Sequence, residues 1–203
     1  MELNMLKSKT TCIKTSLLMA LFGLMTSNAF CGGTITGTIQ TDLQKYKKGA
    51  VVYLSGVKGP VRPQQKSIDQ ENLTFVPKVT TIPVGSTILF TNHDKIYHNI
   101  HSSSEAKQFN VDTYDAQSRS VTFDKPGPVH LLCNVHSEMT GWVVVTDNQY
   151  AAVSEHDGRF TIPDVPAGKY EIAVWSEKLK HNAHTTVTVA DGKTSSVDIN
   201  LDL

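Results

Sequence analysis

Short runs in which apolar and polar residues alternate recur along most of the chain, each closed by turn residues, and no long stretch keeps a helical period. The runs at 34–39, 50–54, 87–91, 120–123, 129–133 and 142–146 predict strands. Four more, at 160–162, 170–175, 185–189 and 197–201, are separated by Asp157-Gly158, Pro166-Ala167-Gly168 and Asp191-Gly192. Those are tight-turn sequences, because Gly tolerates positive φ, Pro presets φ and Asp bonds its own backbone. An all-β protein is expected, and the length suits two β-sandwiches.

The pattern differs ahead of the first strand. Lys7, Lys9 and Lys14 precede an apolar run over 17–25, and Ser27-Asn28-Ala29 offers small side chains for cleavage, the order of a secretory signal peptide over residues 1–29. The run falls well short of the roughly 20 apolar residues of a spanning helix, so no transmembrane segment is expected in the mature chain. A periplasmic or otherwise exported location follows. Lipid attachment at Cys31 is not favoured, because Phe30 puts a ring where a small residue is needed. The 203 residues balance 19 basic against 19 acidic side chains, and loss of the leader tips the balance slightly acidic. No nucleic-acid partner is expected of such a surface.

Chemistry concentrates in Cys133-Asn134-Val135-His136-Ser137-Glu138-Met139, directly after an apolar strand pattern. A thiolate, an imidazole and a weak thioether are the soft and borderline donors of a mononuclear copper site, which needs one further His. Of the five methionines only Met139 lies beyond the leader, which argues against a filler role. Cys12 leaves with the leader, so metal binding by Cys133 would leave Cys31 as an odd thiol. Strand parity sorts the remaining histidines. Val129, Leu131 and Cys133 share one face, which turns His130 away. If 97–101 is extended, His98 shares a face with Ile100 and His101 points oppositely, so only one of the two reaches the metal; His98 is the first candidate. His93, in the turn-like Asn92-His93-Asp94, reads as a surface residue.

Val84-Gly85-Ser86-Thr87-Ile88-Leu89-Phe90-Thr91-Asn92, then His98-Asn99-Ile100, then Cys133 to Gly141, together resemble the cupredoxin family over residues 62–147, with loop spacing nearest the amicyanin type. The resemblance implies a Greek-key cupredoxin sandwich with one type 1 copper ion held by His98, Cys133, His136 and Met139. It also implies that Asn99 ties the two ligand segments together and that His136 reaches a surface patch where a partner docks. Amicyanin-like sites carry Pro before each His, whereas Tyr97 and Val135 stand there in this chain. Val135 therefore keeps an N–H able to donate to the thiolate, which bears on the reduction potential. Glu138 is expected as a solvated rim charge.

Gly33-Thr34-Ile35-Thr36-Gly37-Thr38-Ile39 and Lys48-Gly49-Ala50-Val51-Val52-Tyr53-Leu54 resemble the opening of a carboxypeptidase regulatory-like, transthyretin-like β-sandwich. Its usual continuation stands far downstream, as Asp157-Gly158-Arg159-Phe160 and Pro166-Ala167-Gly168-Lys169-Tyr170. The implied organisation is a second sandwich split between 33–60 and 148–203, with the cupredoxin domain inserted at 61–147. The C-terminal strands alone would leave exposed edges and a thin core, which two N-terminal strands would repair. A tandem order, with the N-terminal hairpin belonging to the copper domain, is the alternative.

The expected function is single-electron transfer by an exported type 1 copper protein, with a cytochrome, a dehydrogenase or another copper protein as redox partner. An enzyme is not expected, since no further His cluster for additional copper is evident and a binuclear centre needs a second Cys in the loop. The alternative is copper binding or delivery without redox traffic, to which the scattered His93, His101, His130, His181 and His184 would contribute. Lys178, Lys180, His181 and His184 form a candidate docking rim.

Overall fold

Alternation of side chains is clearest over 86–92, where Ser86, Ile88, Phe90 and Asn92 are buried and the residues between them are partly exposed. This is the period of two that a half-buried strand requires. The computed structural model describes residues 32–57, 59–113, 117–179 and 183–202; the expected signal peptide, Cys31, Lys180 and His181 lie outside them. The strands in chain order are β1 (Gly33–Gln40), β2 (Val51–Ser55), β3 (Gln65–Glu71), β4 (Thr74–Val76), β5 (Val79–Pro83), β6 (Ser86–Asn92), β7 (His98–Ser104) and β8 (Lys107–Thr113). They continue as β9 (Ser118–Phe123), β10 (Gly127–Leu132), β11 (Thr140–Thr146), β12 (Ala151–Val153), β13 (Arg159–Val165), β14 (Gly168–Trp175), β15 (Ala183–Val189) and β16 (Thr194–Asn200). The protein is all-β.

Two sheets, ordered β5-β11-β10-β7-β8 and β4-β3-β6-β9, form a Greek-key β-sandwich. Ile68, Phe75, Phe90, Ile100, Phe123 and Leu131 fill its core, and Cys133 and Met139 belong to the same apolar cluster. The other two sheets are β13-β1-β16 and β12-β2-β14-β15, around Ile35, Leu54, Phe160, Ile172, Val174 and Ile199. In the first of these β1 is the middle strand, antiparallel to β13 and parallel to β16. β2 lies between β12 and β14. The strands before residue 56 thus hydrogen-bond on both sides to strands after residue 150. At Gly37 the approach is so close that a Cβ would meet the Val197 carbonyl oxygen at 1.9 Å and Phe160 at 2.6 Å. Only a residue without a side chain fits there.

The connections between the two sets of sheets run side by side. Buried Asn148 donates to the Leu54 carbonyl at 2.7 Å and accepts from the Tyr150 N–H, while the Arg62 N–H reaches Gln149 Oε1 at 3.3 Å. Trp142 of β11 packs against Trp175 of β14 with ring centres 5.1 Å apart, and His130 of β10 stacks on Trp142 at 4.1 Å.

Several strands lack the apolar alternation that would announce them. β3 (QKSIDQE) turns only Ile68 and Gln70 fully inward, and β7 (HNIHSSS) and β8 (KQFNVDT) are rich in polar side chains. Ladder pairing builds them: β3 runs parallel to β6, and β7 pairs with β8 along its whole length. The expected strand at 129–133 ends at Leu132, so Cys133 begins the following loop.

Burial holds the His130 ring below its ordinary pKa, with help from the charges of His101 and Lys78 and against that of Glu177. Because the unfolded chain then binds the proton more tightly, this contribution to stability is complete above the unfolded value of about 6.5 and is lost as pH falls through the folded one. Thermal denaturation of the metal-free protein from pH 7.5 down to pH 5 should therefore show a falling midpoint, with a shallower fall in His130→Gln. Equal slopes in the two proteins would remove His130 as a source.

Candidate metal centre

His98 opens β7 and, with Ile100, faces the core; both are fully buried. β10 turns Val129 and Leu131 to the same interior, and the backbone carries that parity one step past the strand end, so Cys133 is buried at 4% exposure. Antiparallel pairing of Leu132 with His101 sets β10 beside β7 and brings Cys133 opposite Ile100, one same-face step from His98. The loop then turns back into β11, with the Met139 N–H donating to the His136 carbonyl at 3.0 Å. One ring nitrogen from each of His98 and His136 and the sulfur of Cys133 all lie within 4.8 Å of one another. The two Nδ1 atoms are 3.1 Å apart, and the rings meet edge to face.

Three donors of bond length about 2.0–2.3 Å around one ion would stand roughly 3.5–4 Å apart, so atoms gathered this closely could share a single metal after small shifts. Its chemistry, two imidazoles and one thiol, is that of a trigonal copper site. Met139 is fully buried in the apolar cluster that contains Cys133. Glu138 is exposed. Val135 is exposed at 49%, and no hydrogen bond joins its N–H to Cys133 Sγ among the described residues. The other histidines stand apart. His101 faces away, and His130 is engaged with Trp142 and with Thr140 Oγ1 at 2.6 Å. His93 is exposed and paired with Asp69, and His184 pairs with Glu171 at 2.8 Å.

Polar side chains fix the segments that carry the donors. Asn99, 3% exposed, donates to Asn110 Oδ1 and Asp112 Oδ1 on β8 and accepts from Asn134 Nδ2 at 2.9 Å, which joins β7 to the loop. Hydrogen bonds from Tyr97 and Asn99 hold the Asp112 carboxyl below its ordinary pKa. Asn92 donates to the Ile96 and Thr113 carbonyls and accepts from the Asp94 N–H, which shapes the turn leading to His98. Gln70, fully buried, bonds Thr113 Oγ1 at 2.9 Å from β3.

Asp94 is the residue that sequence reasoning missed. Its Oδ2 lies 2.8 Å from His98 Nε2, and it accepts the N–H groups of Asn72 and Leu73 at 2.8 and 3.0 Å. Partial burial pushes its carboxyl up, but the Leu73 N–H, the His98 ring and the Asn72 N–H outweigh this and hold it below the ordinary value. The available signal was its place four residues before His98.

Residues 64–146 match the family model described as copper binding proteins of the plastocyanin/azurin family. The match supports a cupredoxin domain. Residues 126–197 match a model described as polysaccharide lyase family 4, domain II, a different family from the carboxypeptidase regulatory-like one suggested by the sequence. That second match begins within the cupredoxin sheet, at β10 and β11, and runs through β12–β15 into β16. No curated protein matches the chain. Among solved structures, a purple cupredoxin from Nitrosopumilus maritimus is 26% identical over 40% of this chain and 99% of its own, with a TM-score of 0.36. A Cu(I) amicyanin variant is 19% identical over 47% and 98% of the two chains, with a TM-score of 0.37. The copper-containing nitrite reductase from Thermus scotoductus SA-01 is 25% identical over 46% of this chain, with a TM-score of 0.40; the match spans only 25% of the reductase.

Asn99 and Asn134 provide a test of how the donor segments are joined. Asn99→Ala should destabilise the metal-free protein by ~1–3 kcal/mol in chemical denaturation, because it removes a buried side chain together with its hydrogen bonds, one of them to a carboxylate. A double-mutant cycle with Asn134→Ala should show non-additivity of at least about 0.5 kcal/mol. Additive losses would mean that the bond does not tie loop to strand.

Proposed function

We propose that the protein is an exported type 1 copper protein that carries single electrons between protein partners and catalyses no reaction of its own. The observation that carries this reading is the convergence of one ring nitrogen from each of His98 and His136 with Cys133 Sγ beside a packed core. His98, Cys133 and His136 would hold the copper, and Met139 would add a weaker thioether donor. Bound copper would supply a one-electron couple between its two common oxidation states. The protein's part is to keep the donors still. His98 is set by a strand, Cys133 by a strand end, and the loop between Cys133 and Met139 by its own hydrogen bond and by Asn134. Donors held this way rearrange little when the charge at the centre changes, which speeds exchange.

His136 is assigned as the exit for electrons. Its ring is only partly buried, and its neighbour Val135 is exposed, as are Ile96 (46%) and Leu73 (36%). The Leu73 N–H bonds Asp94, and Ile96 lies two residues before His98, so these apolar side chains belong to the same end of the sandwich. A small apolar rim of this kind suits brief docking with a cytochrome, a dehydrogenase or another copper protein. The strand order supports reading 61–147 as a domain inserted into a sandwich built from 33–60 and 148–203, which would act as its support. Delivery of copper to other proteins is less well served by this site, because His98 at 0% and Cys133 at 4% exposure leave an incoming thiol or imidazole little access.

Copper-loaded mature protein should absorb strongly in the visible, and Cys133→Ser should abolish both the band and reversible one-electron reduction. A band that survives Cys133→Ser would overturn the ligand assignment. Met139→Glu should retain copper, shift the spectrum and lower the potential; an unchanged potential would exclude Met139 as a donor.

A further inference from the structure

We propose that Asp94, anchored by the turn between β3 and β4, is a positioning residue that fixes the tautomer of His98 and thereby presents the Nδ1 lone pair to the metal. The inference rests on the copper site proposed above and extends it to a residue outside the donor set. An ionised carboxylate only accepts hydrogen bonds, so the 2.8 Å contact between Asp94 Oδ2 and His98 Nε2 places the proton on Nε2. Nδ1 of a neutral ring is then bare. It faces His136 Nδ1 at 3.1 Å, so in the metal-free protein the bridging proton belongs to His136. To hold a metal, His136 would give its Nδ1 proton to solvent and take one at Nε2 and Cys133 would give up its thiol proton, whereas His98 would already offer a bare Nδ1.

The carboxylate is itself held. Asn72 and Leu73 both have positive φ, 54° and 57°, as the two central residues of a tight hairpin require. In that conformation their successive N–H groups point the same way and make an anion-binding concavity, which Asp94 fills. Leu is an uncommon residue at positive φ, so its place here is consistent with a turn held from outside by the carboxylate. His98 is fully buried, and its Nε2 has no other hydrogen-bond partner among the described residues. Asp94 thus links the β3–β4 hairpin to the innermost ligand. A carboxylate behind an imidazole also makes the ring a stronger donor, which favours the more highly charged oxidation state of the metal.

The metal-free wild-type protein gives the first test, through nitrogen-15 NMR of the His98 ring. Protonated Nε2 with bare Nδ1 is expected, and the opposite tautomer would overturn the proposal whether or not any variant folds. In Asp94→Asn the amide can donate as well as accept, so the His98 tautomers should mix. Cu(II) affinity should fall ~10–100-fold, and each tenfold loss for Cu(II) beyond that for Cu(I) should raise the potential by about 59 mV. Asp94→Glu, which keeps the carboxylate, should recover part of the affinity and the lower potential. If wild-type protein is coloured by copper yet Asp94→Asn matches it in tautomer, affinity and potential, the role of Asp94 fails and the copper site stands. If wild-type protein takes up no copper, the functional reading fails, and the nitrogen-15 spectrum still decides the tautomer.

Discussion

Two imidazole nitrogens and a thiol sulfur are held within 4.8 Å of each other at the end of an apolar core, and the surrounding structure is arranged around keeping them there. Placing electron-rich atoms in mutual contact away from water is unfavourable unless a cation or a proton lies between them. The two Nδ1 atoms stand at hydrogen-bond distance, 3.1 Å, so a proton on one of them would meet part of that need. A soft cation would meet the rest of it, and the donors sit on a packed apolar core that includes Cys133. Phe90, Ile100, Leu131 and Met139 are fully buried in the core that carries the donors.

The donors come from two backbone segments, the start of β7 and the loop from Cys133 to Met139, and polar contacts fix both. Asn99 ties β7 to β8 and to the loop, Asn92 and Gln70 shape the turn before His98, and Asp94 fastens the His98 ring to the hairpin turn beside it. These side chains are buried or partly buried and nearly fully hydrogen-bonded, the condition under which polar groups in a core confer rigidity rather than weakness. The second pair of sheets has no donor of its own in this site. Its place beside the first is set by Asn148, by the Arg62–Gln149 contact and by the Trp142–Trp175 packing, which keep the chain's two crossings together.

Much of this is legible in the sequence where physics leaves a period-two trace. The run 86–92 alternates cleanly, and parity alone separates His98 from His101 and Cys133 from His130. β3, β7 and β8 leave no such trace, because they are recruited by hydrogen-bond ladders and bury Gln70, Asn99, Ser102 and Thr113 in addition to apolar residues. Asp94 escapes notice for a related reason: an Asp in a turn ordinarily serves its own backbone, and only the folded hairpin reveals that it serves a ring. The cupredoxin resemblance has a counterpart in the family match over 64–146. For the remainder, alternating short strands specify a sandwich without specifying which family of sandwich, and the match over 126–197 names a polysaccharide lyase domain.

The central claim is that one ion is bound by one sulfur and two imidazoles in a frame that barely moves. X-ray absorption at the copper edge of the loaded protein, recorded oxidised and reduced, tests it most directly. One short copper–sulfur contact and two copper–imidazole contacts, nearly unchanged between the two states, are predicted. A shell of nitrogen and oxygen alone, or loss of the sulfur on reduction, would contradict the account.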